Sequence, residues 1–351
     1  MVAVEPLLYT QRLPLTRFNT LTGAQTARPQ LFGCSGLFFS ETLVLNPLKS
    51  VDQDEPNTER FSVWKTRRFE IDLLRPKIMA IVNVTPDSFA THTMGLDSSK
   101  GGAQIWIQNS LEHAASQLKA GADLLDIGAE STRPGAGEVP QEEEWRRLEP
   151  VLKEVITWGV PVSVDTYKPE IMLRALELGV DIINDIWALR QGNALEVVGR
   201  FECGVCLMHM HAEPKTMQLS PMQGDVVAEV NSFLDGRVQA CLRQGIAKER
   251  LMLDPGIGFG KTVAQNFSLL RQQHHLHIRN LPLLMGWSRK SSLGAVTGQD
   301  VGNRVSSSVV AAVLAIERGA QVIRVHDVAP TIEGLKVWLH ASGLGPSLSP
   351  T

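Results

Sequence analysis

The sequence has few aromatic residues, little net charge and no long hydrophobic run. Aromatic residues make up 6% of its 351 residues, and the formal net charge is −3 at pH 7. A nucleic-acid-binding domain usually carries a basic patch, and no long run of Lys and Arg occurs here. The longest wholly apolar run, residues 309–316, is far shorter than the ~18 residues of a membrane-spanning helix. The composition therefore predicts no nucleic-acid partner and no membrane span.

Cysteine is also scarce, with four residues in the chain. Cys203 and Cys206 have the CxxC spacing of redox and zinc sites, but no second CxxC and no HxxxH pair accompanies them. Because the pair precedes and enters an apolar run, we predict small buried residues there and not a metal or redox centre. This cysteine usage is typical of a reducing, cytoplasmic setting.

The first 60 residues differ from the rest of the chain. Proline recurs there without a sustained hydrophobic period, which predicts a poorly ordered N-terminal extension at 1–60. Its excess of arginine over acidic residues is faintly like a transit peptide, but it has no signal-peptide core. Alternation in residues 61–74 predicts a short β-hairpin within a segment 61–77. Residues 343–351 are expected to form a tail.

From residue 78 onward, eight short apolar runs alternate with helical stretches. The runs are 78–84, 123–128, 161–166, 181–186, 204–210, 251–256, 282–288 and 322–327. They are almost continuously apolar, as parallel strands buried on both faces are. The clearest helical stretches are 142–158, 225–244 and 304–318. Eight strand–helix units predict an α/β protein with a closed (β/α)8 barrel over residues 78–342.

Each of the eight runs ends in polar residues. They are Asn83, Asp126, Asp165, Asn184, Asp185, His209, Asp254, Ser288, Arg289, Lys290, Arg324, His326 and Asp327. One such residue alone would be explained as a cap of the following helix. Because the C-terminal ends of barrel strands converge on one face, eight polar ends in register predict an active site there.

The side chains at these ends fall into two groups. Hydrogen-bonding groups suited to the polar edge of a flat heterocycle are Asp165, Asn184, Asp254 and Lys290. Groups suited to an anion such as phosphate are Arg133, Arg324, His326 and the backbone N–H groups of Ser131 and Thr132. Asn83 is a candidate Mg²⁺ ligand together with phosphate oxygens. We find no Ser-His-Asp set and no thiol with a partner, so covalent catalysis is not predicted.

Two further motifs are discounted. GIGFGKT at 256–262 resembles a phosphate-binding loop, but Pro255 stands where the P-loop pattern needs glycine. It also fails the GxGxxG pattern, because Lys261 replaces the third glycine. We expect its glycines to allow a tight turn beside a planar ligand. His274, His275 and His277 are predicted to lie at the solvated surface and not to bind a metal.

Several motifs together resemble the dihydropteroate synthase family of folate biosynthesis. They are NVTPDSF (83–89), DIGAESTRPGA (126–136), SVDTYKP (163–169), INDI (183–186), MHM (208–210), LDPGIGFGKT (253–262), SRKS (288–291) and RVHDV (324–328). The resemblance covers about residues 64–340 and excludes the first 60. It implies a pterin-binding barrel that joins 4-aminobenzoate to 6-hydroxymethyl-7,8-dihydropterin diphosphate, releasing diphosphate. It further implies a cytoplasmic homodimer that uses Mg²⁺ and is a target of sulfonamides.

The resemblance also implies roles for individual residues. Pterin would be bound by Asp165, Asn184, Asp254, Lys290, Met208 and Ile186, with Arg324 stacked on its ring. Diphosphate and Mg²⁺ would be bound by Asn83, Thr132, Arg133, Arg324 and His326, with Asn83 as the metal ligand. 4-Aminobenzoate would be framed by Phe89, Pro134, Phe259 and Ser291. Asp126 would support the site, and the catalytic set would be Asp165, Asp254, Lys290, Arg324, His326 and Asp87.

One position departs from the family pattern. Thr91 stands where an acidic residue is expected, two residues after Phe89. Two other functions stay open. A pterin-binding methyltransferase would share the pterin residues but would have no use for STRP and SRKS, which are both intact. A catalytically silent pterin-binding paralogue is favoured only by the altered loop.

Overall fold

The computed structural model describes residues 62–85, 102–131, 137–212, 217 and 221–344. The described residues form ten β-strands and nine α-helices. The strands are β1 Val63–Lys65, β2 Glu70–Asp72, β3 Lys77–Asn83, β4 Leu124–Gly128, β5 Val162–Asp165, β6 Ile182–Asp185, β7 Gly204–Met208, β8 Leu251–Asp254, β9 Leu284–Met285 and β10 Val322–Val325.

The α-helices follow the strands of the main sheet. They are α1 Gly102–Lys119, α2 Gln141–Val155, α3 Pro169–Leu178, α4 Ala194–Gly199, α5 Val226–Arg243, α6 Val263–Arg271, α7 Ser291–Thr297, α8 Val305–Glu317 and α9 Val328–Ala341. The three helices predicted most clearly correspond to α2 with its 3₁₀ extension Ile156–Trp158, to α5 and to α8. Within the described ranges, no helix has the length and apolar character needed to cross a membrane.

Strands β3 to β10 form a parallel sheet in the order β8-β7-β6-β5-β4-β3-β10-β9. A parallel bridge between Leu253 and Leu283 brings β8 beside the start of β9, so the sheet curves into a nearly closed barrel. Strands β1 and β2 pair antiparallel as a separate hairpin. The predicted fold class, a (β/α)8 barrel with a short preceding hairpin, is confirmed.

One strand is shorter than the sequence predicts. The run 282–288 was expected to be a full strand, but β9 contains only Leu284 and Met285. The chain then leaves the sheet, because the backbone N–H of Arg289 donates to Ser308 Oγ in α8 (2.9 Å). Arg289 also has a left-handed φ of 58°, which a continuing strand does not permit. The backbone here is therefore bonded to a helix instead of a neighbouring strand.

Side chains along each strand alternate between the barrel interior and the helices outside. On β10, for example, Ile323 and Val325 pack in the core between the sheet and the helices, whereas Val322 lies in a separate interior cluster. The other barrel members of the interior cluster are Met79, Leu124, Ile182, Cys206, Met252 and Leu284. This layer fills the end of the barrel where the strands begin, and it leaves the opposite end to the polar residues.

The hairpin covers that apolar end. Trp64, Ile71 and Leu73 are buried in the interior cluster, and the indole Nε1 of Trp64 donates to the backbone oxygen of Arg250 (2.9 Å). Arg68 adds a bidentate ion pair with Asp181 at the start of β6, with distances of 2.8 and 2.6 Å. Among the described residues, the hairpin therefore seals one mouth of the barrel and leaves the other mouth open to a ligand.

The discounted cysteine pair lies at the start of a barrel strand, and two of the discounted histidines lie at the surface. Cys203 precedes β7 and Cys206 lies within it, and both side chains are buried. Burial raises the pKa of the Cys203 thiol to about 11, so the thiol stays protonated at neutral pH. His274 and His275 are exposed in a 3₁₀ turn at Gln273–Leu276.

Replacing Trp64 with Phe tests the role of the hairpin. The change keeps most of the ring but leaves the buried Arg250 carbonyl without its donor, so we expect the free energy of unfolding to fall by about 1–3 kcal/mol. Trp158→Phe is the matched control, because its indole donates to exposed Glu154. Chemical denaturation of both variants measures the difference, and equal effects would mean that the buried hydrogen bond is unimportant.

Candidate active site

Five strand-end side chains lie on the interior-facing positions at the open mouth. The alternation that sends Leu124 and Ile182 into the apolar interior layer also directs Asp126 and Asn184, two residues further along β4 and β6, to the interior. The same alternation directs the other three side chains to the interior, namely Asp165 on β5, Asp254 on β8 and Arg324 on β10. A polar layer therefore lies directly above the apolar one.

Arg324 is the centre of this polar layer. Its Nε donates to Asp126 Oδ2 and its Nη2 to Asp165 Oδ2, both at 2.6 Å. Asn184 Nδ2 donates to the same Asp126 oxygen at 3.0 Å. These contacts cross the barrel interior and connect β10, β4, β5 and β6. The structure thus brings together four residues that the sequence assigned to one site.

The charges in this layer shift each other's protonation. Burial raises the pKa of Asp165 to about 7, and the nearby carboxylates of Asp126 and Asp185 act in the same direction, while Arg324 opposes them. Burial alone would lower the pKa of Arg324, but Asp126 and Asp165 outweigh it and raise the pKa, so the guanidinium stays charged. One fixed cation therefore compensates two carboxylates.

Asp254 and Lys290 also lie at the mouth, Asp254 at the end of β8 and Lys290 between β9 and α7. Asp254 Oδ1 accepts a hydrogen bond from the backbone N–H of Gly256 (2.7 Å), and burial raises the pKa of its carboxyl group. The Lys290 ammonium lies 4.3 Å from the centre of the Phe259 ring, within the range of a cation–π contact. Asp254 thus caps the following loop while remaining a buried acidic group at the mouth.

Residues assigned to the diphosphate end occupy the strand ends next to Arg324. Asn83 is half-buried at the end of β3, which pairs with β10. His326 is half-buried after β10, and Ser288 Oγ lies 3.1 Å from its backbone nitrogen and 3.0 Å from its Nδ1. These two side chains and Arg324 therefore come from neighbouring strands on one side of the mouth.

An apolar cluster forms another wall. Its buried members are Ile186, Met208, Met210, Met217 and Phe259, with Tyr167 and Trp187 packed against them. It joins three residues that the sequence assigned separately, namely Met208 and Ile186 to pterin and Phe259 to 4-aminobenzoate. Ser291, also assigned to 4-aminobenzoate, is the exposed first residue of α7.

Two of the predicted strand-end residues do not face the mouth. Asp185 follows inward-facing Asn184 and therefore points outward, where its carboxylate accepts from the backbone N–H groups of Trp187 and Leu189. The ring of His209 packs edge-on against Phe233 of α5, with centroids 4.9 Å apart. Burial lowers the pKa of His209 to about 2, so the ring is neutral. Their inclusion among the site's polar residues was wrong.

Five candidate residues lie outside the described ranges. They are Asp87, Phe89, Thr132, Arg133 and Pro134. Thr91, the departure from the family pattern, also lies outside. Their roles stay predictions.

A charge cluster beside the mouth was not predicted from the sequence. Lys168 Nζ donates to Glu130 Oε2 (2.5 Å), to Glu144 Oε2 (2.6 Å) and to the backbone oxygen of Val139 (2.5 Å). Thr166 Oγ1 also donates to Glu144. The cluster joins the chain on both sides of residues 132–136 to the segment after Asp165. The sequence signal for this cluster was the opposite charge of Glu130 and Lys168, which lie in the successive motifs 126–136 and 163–169.

The barrel and its charged mouth resemble a known class of proteins. The family model described as pterin binding enzyme matches residues 79–326, which defines the class as a pterin-binding barrel. A dihydropteroate synthase of Neisseria meningitidis serogroup B is 50% identical over 285 residues, covering 79% of this chain and 96% of that protein.

Solved structures of dihydropteroate synthases have a fold similar to that of this chain. Burkholderia cenocepacia dihydropteroate synthase complexed with 7,8-dihydropteroate has a TM-score of 0.72 and 43% identity, covering 80% of this chain and 97% of that chain. Xanthomonas albilineans dihydropteroate synthase with 4-aminobenzoic acid has a TM-score of 0.71 and 46% identity, covering 79% of this chain and 96% of that chain. The chain belongs to the dihydropteroate synthase family of pterin-binding enzymes.

Replacing Arg324 with Lys tests the centre of the polar layer. An ammonium keeps the charge but cannot hold Asp126 and Asp165 in the two directions of a guanidinium. We expect the free energy of unfolding to fall by about 1–3 kcal/mol. Dihydropteroate formation should fall at least about tenfold, because the carboxylates lose their fixed positions. Chemical denaturation and a product assay measure the two effects.

Arg174→Lys is the matched control. The Arg174 guanidinium also binds two carboxylates, Glu142 and Glu170, but on an outer helix. This variant should keep wild-type product formation. Wild-type activity in Arg324→Lys would mean that its planar, two-sided contact does not position the mouth.

Proposed function

We propose that the chain catalyses the dihydropteroate synthase reaction. It condenses 6-hydroxymethyl-7,8-dihydropterin diphosphate with 4-aminobenzoate, forming 7,8-dihydropteroate and diphosphate. The observation that carries the proposal is the Arg324 guanidinium held between Asp126 and Asp165 at the only open mouth of the described barrel. Diphosphate release, measured with and without 4-aminobenzoate, tests it. Release that depends on 4-aminobenzoate supports a synthase, whereas a methyltransferase or silent paralogue would release none.

The pterin ring would lie against the polar layer. Asp165, Asn184 and Asp254 offer acceptors and donors that match the guanidine-like edge of a pterin, and Lys290 can donate to its ring heteroatoms. Met208 and Ile186 in the apolar cluster would contact a ring face. Arg324 would stack on the other face. A flat heterocycle with one hydrogen-bonding edge fits such a combination of apolar wall and few fixed polar groups.

Diphosphate would lie at the side of the mouth where Asn83 and His326 end their strands. Arg324 and His326 supply donors from β10, and Thr132 and Arg133 are assigned to the same subsite. The guanidinium of Arg133 is suited to bidentate contact with phosphate oxygens. Such donors stabilise the charge that develops on the leaving group.

Mg²⁺ would be held mainly through that diphosphate. Among the described residues, no cluster of three His, Cys, Asp or Glu side chains could hold a metal. The half-buried Asn83 amide nevertheless fits Mg²⁺, which commonly uses one or two protein ligands together with substrate phosphates and water. Bound Mg²⁺ would neutralise part of the diphosphate charge.

4-Aminobenzoate would meet Phe259 and Ser291, together with Phe89 and Pro134 from the segments after β3 and β4. A sulfonamide has the same aniline ring beside an acidic group, so we expect it to compete for this subsite. Competition with 4-aminobenzoate in the diphosphate-release assay tests this expectation.

The arrangement suits a reaction in which diphosphate departs first. Departure leaves a pterinylmethyl cation, and the carboxylates of Asp165 and Asp254 favour that positive charge. Asp126 and Asp165 compensate Arg324, so its guanidinium can attract the departing anion without strongly opposing the cation. The weakly basic aniline nitrogen needs alignment and not deprotonation by a strong base.

We also propose the assembly and setting of the chain. Residues 78–342 would be the catalytic barrel, with the hairpin segment 61–77, an extension 1–60 and a tail 343–351, in a cytoplasmic homodimer. Val310 and Leu314 lie exposed one turn apart on α8, and Val337 is exposed on the neighbouring α9. Such an apolar surface is typical of a subunit interface. Sedimentation of the full chain would measure the oligomeric state.

The proposed pocket predicts an order of substrate binding. The sequence predicts that two of the four residues assigned to 4-aminobenzoate, Phe89 and Pro134, lie in loops after barrel strands, and such loops can close over a first substrate. We expect 4-aminobenzoate to bind after the pterin diphosphate. Calorimetry should show weak 4-aminobenzoate binding to the free protein and tighter binding once Mg²⁺ and diphosphate are present. Tight binding to the free protein would refute this order.

Asp254→Asn separates pterin binding from loop capping. The amide oxygen of Asn can still accept from the Gly256 N–H, but the charge that pairs with the pterin edge is removed. We expect pterin affinity to fall about 30-fold or more, because a charge-assisted pair in a closed site contributes ~2–3 kcal/mol. Calorimetry with the pterin and a melting curve measure the two roles.

Asp225→Asn is the control for the capping role. Asp225 also accepts from backbone N–H groups, at the start of α5. A lower melting temperature for Asp254→Asn with unchanged pterin affinity would show that Asp254 only caps the loop.

A further inference from the structure

The lysine that breaks the glycine pattern of GIGFGKT is buried and fully engaged. Lys261 is 3% exposed. Its Nζ donates to the backbone oxygens of Gly256 (2.9 Å), Phe259 (3.2 Å) and His209 (3.3 Å). An ammonium has three donors, so these carbonyls account for all of them. Lys261 therefore binds the protein's own backbone and is not directed at a phosphate.

The three carbonyls come from two loops that approach closely. A Cβ atom added at Gly256 would lie 1.9 Å from the His209 oxygen, and one at Gly260 would lie 2.5 Å from the His211 oxygen. The loops after β7 and β8 thus touch through backbone. Convergent carbonyl oxygens repel each other unless a cation or donor lies between them. Lys261 Nζ supplies those donors, and burial lowers the pKa of its ammonium to about 7.

The loop held by Lys261 carries two groups of the proposed site. The Gly256 backbone binds the Asp254 carboxylate through its N–H and Lys261 through its oxygen. The Phe259 oxygen is bound to Lys261, while its ring contacts the Lys290 ammonium. Lys261 therefore acts on Asp254 through the Gly256 backbone, and on the Lys290 contact through the Phe259 backbone.

A second buried side chain holds the far side of the same loop. Asn266 Oδ1 accepts from the Gly258 N–H (2.8 Å), and its Nδ2 donates to Ser292 Oγ in α7 (2.9 Å). This contact fixes the loop to the next helix without joining it to β7. On the β7 side, Lys261 adds its side-chain contacts to two backbone hydrogen bonds, from the His211 N–H to the Phe259 oxygen (3.5 Å) and from the Met222 N–H to the Gly260 oxygen (3.0 Å).

We propose that Lys261 is a positioning residue, whose ammonium joins the β7 and β8 loops and thereby places Asp254 and Phe259 for pterin and 4-aminobenzoate. The inference rests on the proposed function, which assigns those two residues to the substrates. Lys261 stands where the GxGxxG pattern has its third glycine. The proposal gives this position a role distinct from phosphate binding.

Lys261→Met tests this role, because methionine has a similar length and no donor. The probes are 6-hydroxymethyl-7,8-dihydropterin without diphosphate, inorganic diphosphate with Mg²⁺, and 4-aminobenzoate in steady-state assays. We expect the pterin Kd and the 4-aminobenzoate KM each to rise about tenfold or more, with the diphosphate Kd within about twofold of wild type. A uniform weakening of all three ligands would overturn the proposal.

Arg250→Met is the matched control at the other end of β8. Arg250 is also buried, and it donates to the backbone oxygens of Cys203 (2.7 Å) and Phe201 (2.5 Å). We expect this variant to have a lower melting temperature and wild-type ligand constants. If both variants change the ligand constants alike, Lys261 acts only through general stability and the proposal is wrong.

Lys261→Gln keeps the test decisive if the methionine variant does not fold. A glutamine amide has two N–H groups and no charge, so we expect smaller shifts in the same two constants. Unchanged constants in Lys261→Gln would overturn the proposal. Wild-type binding of the pterin and 4-aminobenzoate tests the proposed function separately, and a wild type that bound neither would overturn both.

Discussion

The partly buried contact between Arg324 and the carboxylates of Asp126 and Asp165 is the constraint on which the mouth depends. Burying three charges costs desolvation energy, so such a cluster is weak evidence for stability. Its value lies in geometry, because the planar guanidinium fixes two carboxylates from β4 and β5 relative to β10. The layer beneath it is apolar and sealed by the hairpin, and a larger apolar core packs between the sheet and the helices, so burial of apolar surface stabilises the barrel.

Two buried lysines extend the same principle to the segments above the polar layer. Lys168 and Lys261 each bind three acceptors from different parts of the chain. Lys168 binds two carboxylates and one carbonyl, whereas Lys261 binds only carbonyls. In both cases Nζ donates to buried or partly buried oxygen atoms, which would otherwise be costly to remove from water. Binding residues on barrel loops can be placed accurately only when such contacts hold the loops.

Much of the fold and part of the site followed from the sequence because the relevant signals are local. Continuous apolar runs indicated buried parallel strands, and their polar ends indicated the mouth. A period of two along β10 places Arg324 in the interior and Val325 against the helices, which is the arrangement in the structure. The same period, applied to Asn184 and Asp185, would have sent Asp185 outward. Counting every polar strand end as a site residue ignored it.

The sequence by itself determined the order of elements, the alternation of each strand and the chemical types present at the mouth, since all of these depend on neighbouring residues. Only the tertiary structure decided the partners. Lys168 contacts Glu130 from 38 residues away, and Lys261 reaches the His209 carbonyl across 52 residues. A side chain's charge is fixed by its type, but the acceptors it meets depend on how separate loops converge, and no local pattern encodes that convergence.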